Sequence, residues 1–190
     1  MKKGKIVILT IAGIVVVLGA GVGVAYTSLA NQTGPTVSTK KSDSDQSTGS
    51  KKVLATKSFT KDEVNDMIQS KLQNSQYQVN LDGQNIVATS TSSSLKGQLT
   101  MTPKVTSDGD VVLTVNKAKV NSLDVPAKAA LGYLLKQNVA PAGVAIQPSQ
   151  GQITLDLSQL TQDGQTAYQA KQIDVQNGIF KFAEVDTSAQ

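Results

Sequence analysis

Residues 95–120 read LKGQLTMTPKVTSDGDVVLTVNKAKV, and this stretch decides the fold class. Apolar and polar side chains alternate over 95–105 and again from Val111 in a segment that reaches about Val120. This period of two is typical of a strand with one buried face. Ser107-Asp108-Gly109-Asp110, between the two segments, predicts a hairpin turn. The stretch therefore predicts two long antiparallel strands.

Further strand signals lie on both sides of this hairpin. Asp82-Gly83 and Asn177-Gly178 are hairpin turns, and Asn177-Gly178 is the stronger signal. The strands predicted outside the central hairpin are 53–58, 77–81, 86–91, 144–147, 152–157, 170–176 and 179–185.

The first helix has a clear start signal. Thr60 and Glu63 stand at the N-cap and N3 positions of a capping box, and Phe59 and Val64 form the matching hydrophobic staple. We expect this helix to end near Asn74. Its apolar stripe consists of Val64, Met67, Ile68 and Leu72.

Pro126 opens a second predicted helix, with Asp124 or Val125 as its cap. Asn138 and Pro141 close it. Its apolar face consists of Ala127, Ala130, Leu131, Leu134 and Leu135. Together these signals predict an α+β domain over 53–190, with one antiparallel curved sheet carrying two helices on one face.

An uncharged run of 21 residues, IVILTIAGIVVVLGAGVGVAY at 6–26, predicts a single transmembrane helix. Lys2, Lys3 and Lys5 precede it, so by the positive-inside rule we expect 1–5 in the cytoplasm and the residues after Tyr26 outside the plasma membrane. The alternative is a signal peptide cleaved after Ala30, but its apolar region would be unusually long.

Residues 27–52 are rich in Ser, Thr, Lys, Asp and Gly, and we expect a disordered tether there. Residues 1–30 carry three Lys, 31–58 carry five Lys and two Asp, and 59–190 carry ten Lys and twelve acids. The net charge of +4 is therefore +3, +3 and −2 in these three parts, and the domain is slightly acidic. This distribution argues against nucleic acid as a partner.

Several functions are excluded by composition. The chain has no Cys, His, Arg or Trp. A Cys/His zinc site, a haem attachment, thiol catalysis and a Ser-His-Asp triad therefore cannot be built. Disulfides and a lipidated cysteine are excluded as well.

Short motifs with catalytic or metal-binding associations have simpler explanations. Ser-x-x-Lys occurs at Ser38, Ser58 and Ser93, but the partner motifs of penicillin-binding enzymes are missing. Asp108 and Asp110 suit a turn. Asp62, Glu63 and Asp66 suit the first turns of a helix, where the dipole favours acids. We therefore predict a protein without enzymatic activity and without catalytic residues, bound metal or cofactor.

Three segments resemble the YpmS-like family of Gram-positive membrane-anchored proteins. They are FTKDEVNDMI at 59–68, LDVP at 123–126 with the helix that follows, and 144–157 with VAIQP at its start. The resemblance covers about 59–185. It implies an anchored extracytoplasmic domain, and since the family has no established activity it implies no functional residues.

Two functions remain open from the sequence. The first is a binding domain for a lipid or another apolar ligand, held between the sheet and the helices near the membrane. The second is a module that binds an envelope protein or wall polymer and has no ligand cavity. A deep apolar cavity favours the first, and an exposed apolar patch or open sheet edge favours the second.

Overall fold

A computed structural model of the chain describes residues 52–72, 77–90, 96–136, 140 and 142–188. This part of the chain has an α+β fold with antiparallel strands and three helices, which confirms the predicted fold class. The strands are β1 Val53–Phe59, β2 Tyr77–Asp82, β3 Asn85–Ser90, β4 Gly97–Val105, β5 Val111–Val120, β6 Leu123–Val125, β7 Val144–Gln147, β8 Gln152–Leu155, β9 Thr166–Asp174 and β10 Ile179–Asp186. The helices are α1 Lys61–Leu72, α2 Ala127–Lys136 and α3 Leu157–Leu160.

The larger sheet is built around the hairpin predicted from residues 95–120. Its order is β2-β3-β4-β5-β8-β7, and the short β6 pairs with β5 beside this path. β4 and β5 pair along their whole lengths, from Gly97 opposite Val120 to Val105 opposite Val111. One irregularity, between Thr100 and Met101, shifts the register.

The smaller sheet corrects the prediction of a single sheet. Its order is β1-β10-β9, and both pairings are antiparallel. The first and last strands of the domain therefore lie side by side. The predicted Asn177-Gly178 turn joins β9 to β10, with Asp174 opposite Ile179 at its base.

The chain passes from the larger sheet to the smaller one through α3, which was not predicted. Asp156 is its N-cap, and the Asp156 side chain accepts a 2.8 Å hydrogen bond from the Gln159 backbone N–H. The strand predicted over 152–157 therefore ends at Leu155, because capping turns the backbone into a helix. The next strand begins at Thr166 rather than at 170.

A single large apolar cluster joins the two sheets and the helices. Alternate residues of β4 and β5 are buried in it, including Leu99, Met101 and Leu113. Leu131 and Leu134 of α2 and Val64 and Ile68 of α1 belong to the same cluster. The buried face of the larger sheet is thus covered by both longer helices and by the smaller sheet.

The predicted capping box of α1 is confirmed. The Glu63 carboxylate accepts hydrogen bonds from the Thr60 backbone N–H at 2.8 Å and from the Thr60 hydroxyl at 3.0 Å. The Thr60 hydroxyl in turn accepts from the Glu63 N–H at 3.3 Å. These bonds lower the pKa of Glu63, the backbone bond most strongly, because they stabilise the charged carboxylate. The helix ends at Leu72, and Asn74 lies outside the described residues.

The start of α2 differs from the prediction. The Pro126 carbonyl accepts the hydrogen bond from the Ala130 N–H at 3.1 Å, so Pro126 itself occupies the N-cap position. Asp124 and Val125, the predicted caps, belong to β6 instead. Asn138 and Pro141, predicted to close the helix, lie outside the described residues.

The predicted anchor at 6–26 and nearly all of the predicted tether also lie outside the described residues. In the part that is described, no helix combines the length and the hydrophobicity needed to cross a bilayer.

Candidate functional site

Only one of the Ser-x-x-Lys motifs, Ser58 with Lys61, lies wholly within the described residues, and it forms no site there. Ser58 lies exposed on β1, and Lys61 is the first residue of α1. Ser38 and Ser93 lie outside the described residues.

The acidic candidates have structural roles. Asp108 and Asp110 lie in the β4–β5 turn, where the Asp110 N–H donates to the Thr106 hydroxyl at 3.1 Å and the Asp110 carbonyl accepts from the Thr106 N–H at 2.9 Å. Asp62 and Glu63 occupy the first turn of α1. Among the described residues no three acids come close enough together to hold a metal ion.

One cluster of ionisable side chains crosses the smaller sheet. Lys57 of β1 donates to the Tyr168 hydroxyl of β9 at 2.7 Å, and that hydroxyl donates to Glu184 of β10 at 3.3 Å. The Lys57 ammonium lies 3.6 Å from the same carboxylate. These contacts raise the pKa of Lys57, with the Tyr168 hydrogen bond as the main cause. Because the cluster joins all three strands of the smaller sheet, stabilisation of that sheet is sufficient to explain it.

The feature best suited to a ligand is a cleft of about 600 Å³ beside α2. Leu131 and Leu134 hold α2 against the core, and the helix packs on β5 and β7. The cleft opens between the helix and the adjoining ends of β4, β5 and β6. Its lining residues are Gly97, Gln98 and Leu99 of β4; Lys119 and Val120 of β5; Val125 of β6; and Pro126, Lys128, Ala129, Ala130, Gly132, Tyr133, Leu134 and Lys136.

Small residues create this space. Gly97, Ala129, Ala130 and Gly132 all line the cleft, and none has a side chain larger than a methyl group. Gly132 is unusual because it lies inside a helix, where glycine costs about 1 kcal/mol relative to alanine. Such a glycine normally allows a close approach by a neighbour. Among the described residues, a β-carbon at position 132 would contact nothing within 4 Å, so packing in this part of the domain does not explain the glycine.

The charged groups of the cleft are all basic. Lys119, Lys128 and Lys136 line it together with no acidic residue. In the described part of the chain, none of the three forms an ion pair, although Lys119 lies opposite Asp124 in the register of β5 and β6. Lys128 is in the first turn of α2, where the helix dipole favours an anion. A cleft with apolar walls and a basic edge can hold an amphipathic anion.

Two residues of α2 are sequence signals that point to the cleft. The prediction placed an apolar ligand between sheet and helices but named no residues. Gly132 in the middle of an apolar helix and Lys128 in the first turn of that helix both depart from helix preferences. Their meaning depends on the distance between α2 and β4, which the sequence does not give.

Comparison with known proteins identifies a family whose description assigns no activity. A family model described as "Uncharacterized protein conserved in bacteria (DUF2140)" matches residues 2–185. The match spans the predicted anchor and tether as well as the folded part. No curated protein and no solved structure matches the chain significantly.

Proposed function

Since the chain belongs to this conserved bacterial family, DUF2140, whose description assigns no activity, we propose that its domain binds an amphipathic lipid in the cleft beside α2. The acyl part of the ligand lies against the small and apolar residues of the cleft. Its anionic head group lies near the lysines of the edge. In this proposal the domain binds the lipid and does not convert it chemically.

The observation that carries the proposal is the open space at Gly132. The chain gives up helix stability at this position, and no side chain of the described residues fills the resulting space. A volume of about 600 Å³ falls within the usual range for ligand pockets. An acyl chain would cover apolar surface that is otherwise exposed to water, and each buried methylene contributes about 0.8 kcal/mol.

The lysines favour a negatively charged head group. The domain as a whole carries two more acids than lysines over 59–190, yet the cleft has three lysines and no acid. Lys128 and Lys136 are eight residues apart, which is about 12 Å along a helix. Basic groups therefore flank the cleft along much of the length of α2.

The predicted anchor and tether place the ligand source nearby. A helix at 6–26 would hold the chain in the plasma membrane with the domain on the outer side. A disordered tether of 26 residues would have an r.m.s. span of roughly 28 Å. The domain would then remain within reach of bilayer lipids.

Photocrosslinking of the full chain in a membrane tests the proposal. The chain would be expressed in bacteria fed a diazirine fatty acid, irradiated, and digested with trypsin. We expect lipid adducts on peptide 129–136, which carries the cleft wall of α2, and none on peptide 172–181 of the smaller sheet. Adducts confined to residues 6–26, which any membrane anchor would acquire, would overturn the proposal.

A protein-binding role has separate support from β1. This strand is an edge of the smaller sheet, and its Val53 and Leu54 side chains are about half exposed. An open edge of this kind can accept a strand from a partner. Crosslinking in living cells from Leu54 would give a discrete protein adduct if this role holds, and none if β1 remains free.

A further inference from the structure

The turn between β5 and β6 presents an exposed leucine. Leu123 is 73% exposed, more than any other large apolar side chain in the described part of the chain. Asn121 and Ser122 form the turn, and we call residues 121–123 the tip. Neither α1, α2 nor any described strand covers Leu123.

Leu123 shares a face with the walls of the cleft. In the antiparallel pairing of β5 and β6, Leu123 lies opposite Val120, and Val125 lies opposite Ala118. Side chains directly opposite each other point to the same face of a sheet. Since Val120 and Val125 line the cleft, Leu123 continues its apolar surface outward.

The tip is held in one conformation. Asn121 and Ser122 have φ angles of 48° and 71°, in the left-handed region that non-glycine residues adopt at a cost. The Asn121 N–H donates to the Lys96 carbonyl at 2.7 Å, and the Lys96 N–H donates to the Asn121 side chain at 3.0 Å. This pair of bonds ties the tip to the start of β4, so Leu123 has a fixed position relative to the cleft.

Basic residues lie close to the tip. The backbone of Lys96 is hydrogen-bonded to it, and Lys117 and Lys119 lie on the adjoining part of β5, where strand alternation puts their side chains on the face of the sheet opposite to Leu123. Asp124 is the acid nearest in sequence, and its carboxylate lies 3.6 Å from Lys117. Three lysines and one aspartate give this edge a local charge of +2, in a domain that is otherwise slightly acidic.

We infer that the tip contacts an anionic lipid bilayer, with Leu123 in the interfacial region and the lysines among acidic head groups. An exposed apolar side chain with basic residues at the same edge of the sheet is a combination that favours contact with an anionic membrane surface. The contact would bring the cleft to the bilayer, but it does not require the cleft to hold a ligand.

Site-specific fluorescence tests this contact. The chain has no cysteine, so Leu123→Cys accepts a single NBD label, and Ser107→Cys in the β4–β5 turn, at the other end of β5, is the matched control. The full chain is reconstituted in vesicles of phosphatidylcholine, with or without about one-third phosphatidylglycerol. We expect nitroxide lipids to quench the label at 123 only in the anionic vesicles, and to spare the label at 107. Equal quenching at the two positions would overturn the inference.

Two variants identify the cause of the signal. Lys96→Gln, at a lysine that does not line the cleft, should weaken the response at 123 by roughly fivefold. Gly132→Trp, which obstructs the cleft, should leave it unchanged, so failure of the lipid-binding proposal would not by itself remove this signal. A response that follows protein density instead of lipid charge would show that the tip packs on a second copy, and the inference would be wrong.

Discussion

The Lys57 ammonium donates a 2.7 Å hydrogen bond to the Tyr168 hydroxyl, and this bond links β1 to β9 across the intervening β10. Tyr168 is only 3% exposed, so its hydroxyl depends on protein partners. The first strand after the predicted tether is therefore fixed to the sheet by a polar contact as well as by its backbone pairing with β10.

Removing this bond should destabilise the domain. Tyr168→Phe leaves the Lys57 ammonium with one partner fewer, and we expect the free energy of unfolding to fall by about 1–2 kcal/mol. A double-mutant cycle with Lys57→Met, followed by urea denaturation, should give a coupling of roughly 0.5–1.5 kcal/mol. Additive effects would show that the two side chains do not interact in solution.

The same contact should make stability depend on pH in the alkaline range. The pKa of Lys57 is raised above 10.5, chiefly by the Tyr168 hydrogen bond. Its contribution is fully present below the unfolded pKa and is lost as the pH rises through the folded pKa. The stability difference between the natural protein and Lys57→Met should therefore be constant from pH 7 to about 9 and shrink above the unfolded value. A difference that stays unchanged up to pH 12 would contradict this.

The capping box should give the opposite dependence at acid pH. The pKa of Glu63 is lowered below 4.5 by the Thr60 bonds, so its contribution is present above the unfolded pKa and lost as the pH falls through the folded one. Glu63→Gln should be less stable than the natural protein at pH 7, and the two should converge as the pH falls through the folded pKa of Glu63. Thermal melts from pH 7 to pH 2 would measure this difference in stability. A difference that persists at pH 2 would refute the role assigned to the Glu63 carboxylate.

Gly109 should tolerate substitution much less than Gly83. Both have positive φ angles, but a β-carbon at Gly109 would lie 2.5 Å from the Gln169 β-carbon, whereas one at Gly83 would meet no described atom within 4 Å. The Gly109 carbonyl also accepts the Ala170 N–H at 2.7 Å, which joins the β4–β5 turn to β9. We expect Gly83→Ala to cost about 1–2 kcal/mol and Gly109→Ala clearly more. Equal losses in chemical denaturation would show that β9 moves away without penalty.

Two variants at Gly132 should change the stability of the domain and its ligand binding separately. Gly132→Ala should stabilise the domain by up to about 1 kcal/mol, because alanine favours the helix and the added methyl group meets no atom of the described residues. Gly132→Trp should fold but lose lipid adducts on peptide 129–136. If Gly132→Ala is destabilising in thermal melts, then the glycine has a packing role and the open space does not indicate a ligand.

The cleft lysines should select the head group. Changing Lys119, Lys128 and Lys136 to Gln should reduce crosslinking of an anionic lipid about tenfold or more, while a neutral lipid is affected little. Lys104, Lys171 and Lys181 are exposed lysines away from the cleft, and changing all three provides a control with the same loss of charge. Equal effects of the two triple variants would indicate that only net charge matters.

Local signals accounted for most of the elements. The alternation over 95–120, the capping box at Thr60 and the Asn177-Gly178 turn each act within a few residues, and the structure confirms the elements they predicted. The short β6 and α3 were missed because three or four residues carry too little periodicity. Asp156 with Gln159 was nevertheless an N-cap pattern that marked the start of α3.

The sequence by itself determined the antiparallel α+β fold and the starts of the main turns and of α1, because hydrophobic period and capping chemistry are local. It also excluded the functions that need Cys, His or Arg. Tertiary structure decided the rest: the division into two sheets, the pairing of the first strand with the last, and the cleft. These depend on contacts between residues far apart in the chain, such as Lys57 with Tyr168, whose free energies no local pattern contains. Likewise, Gly132 lines a cleft only because α2 rests on β5 and β7 and leaves its flank toward β4 open.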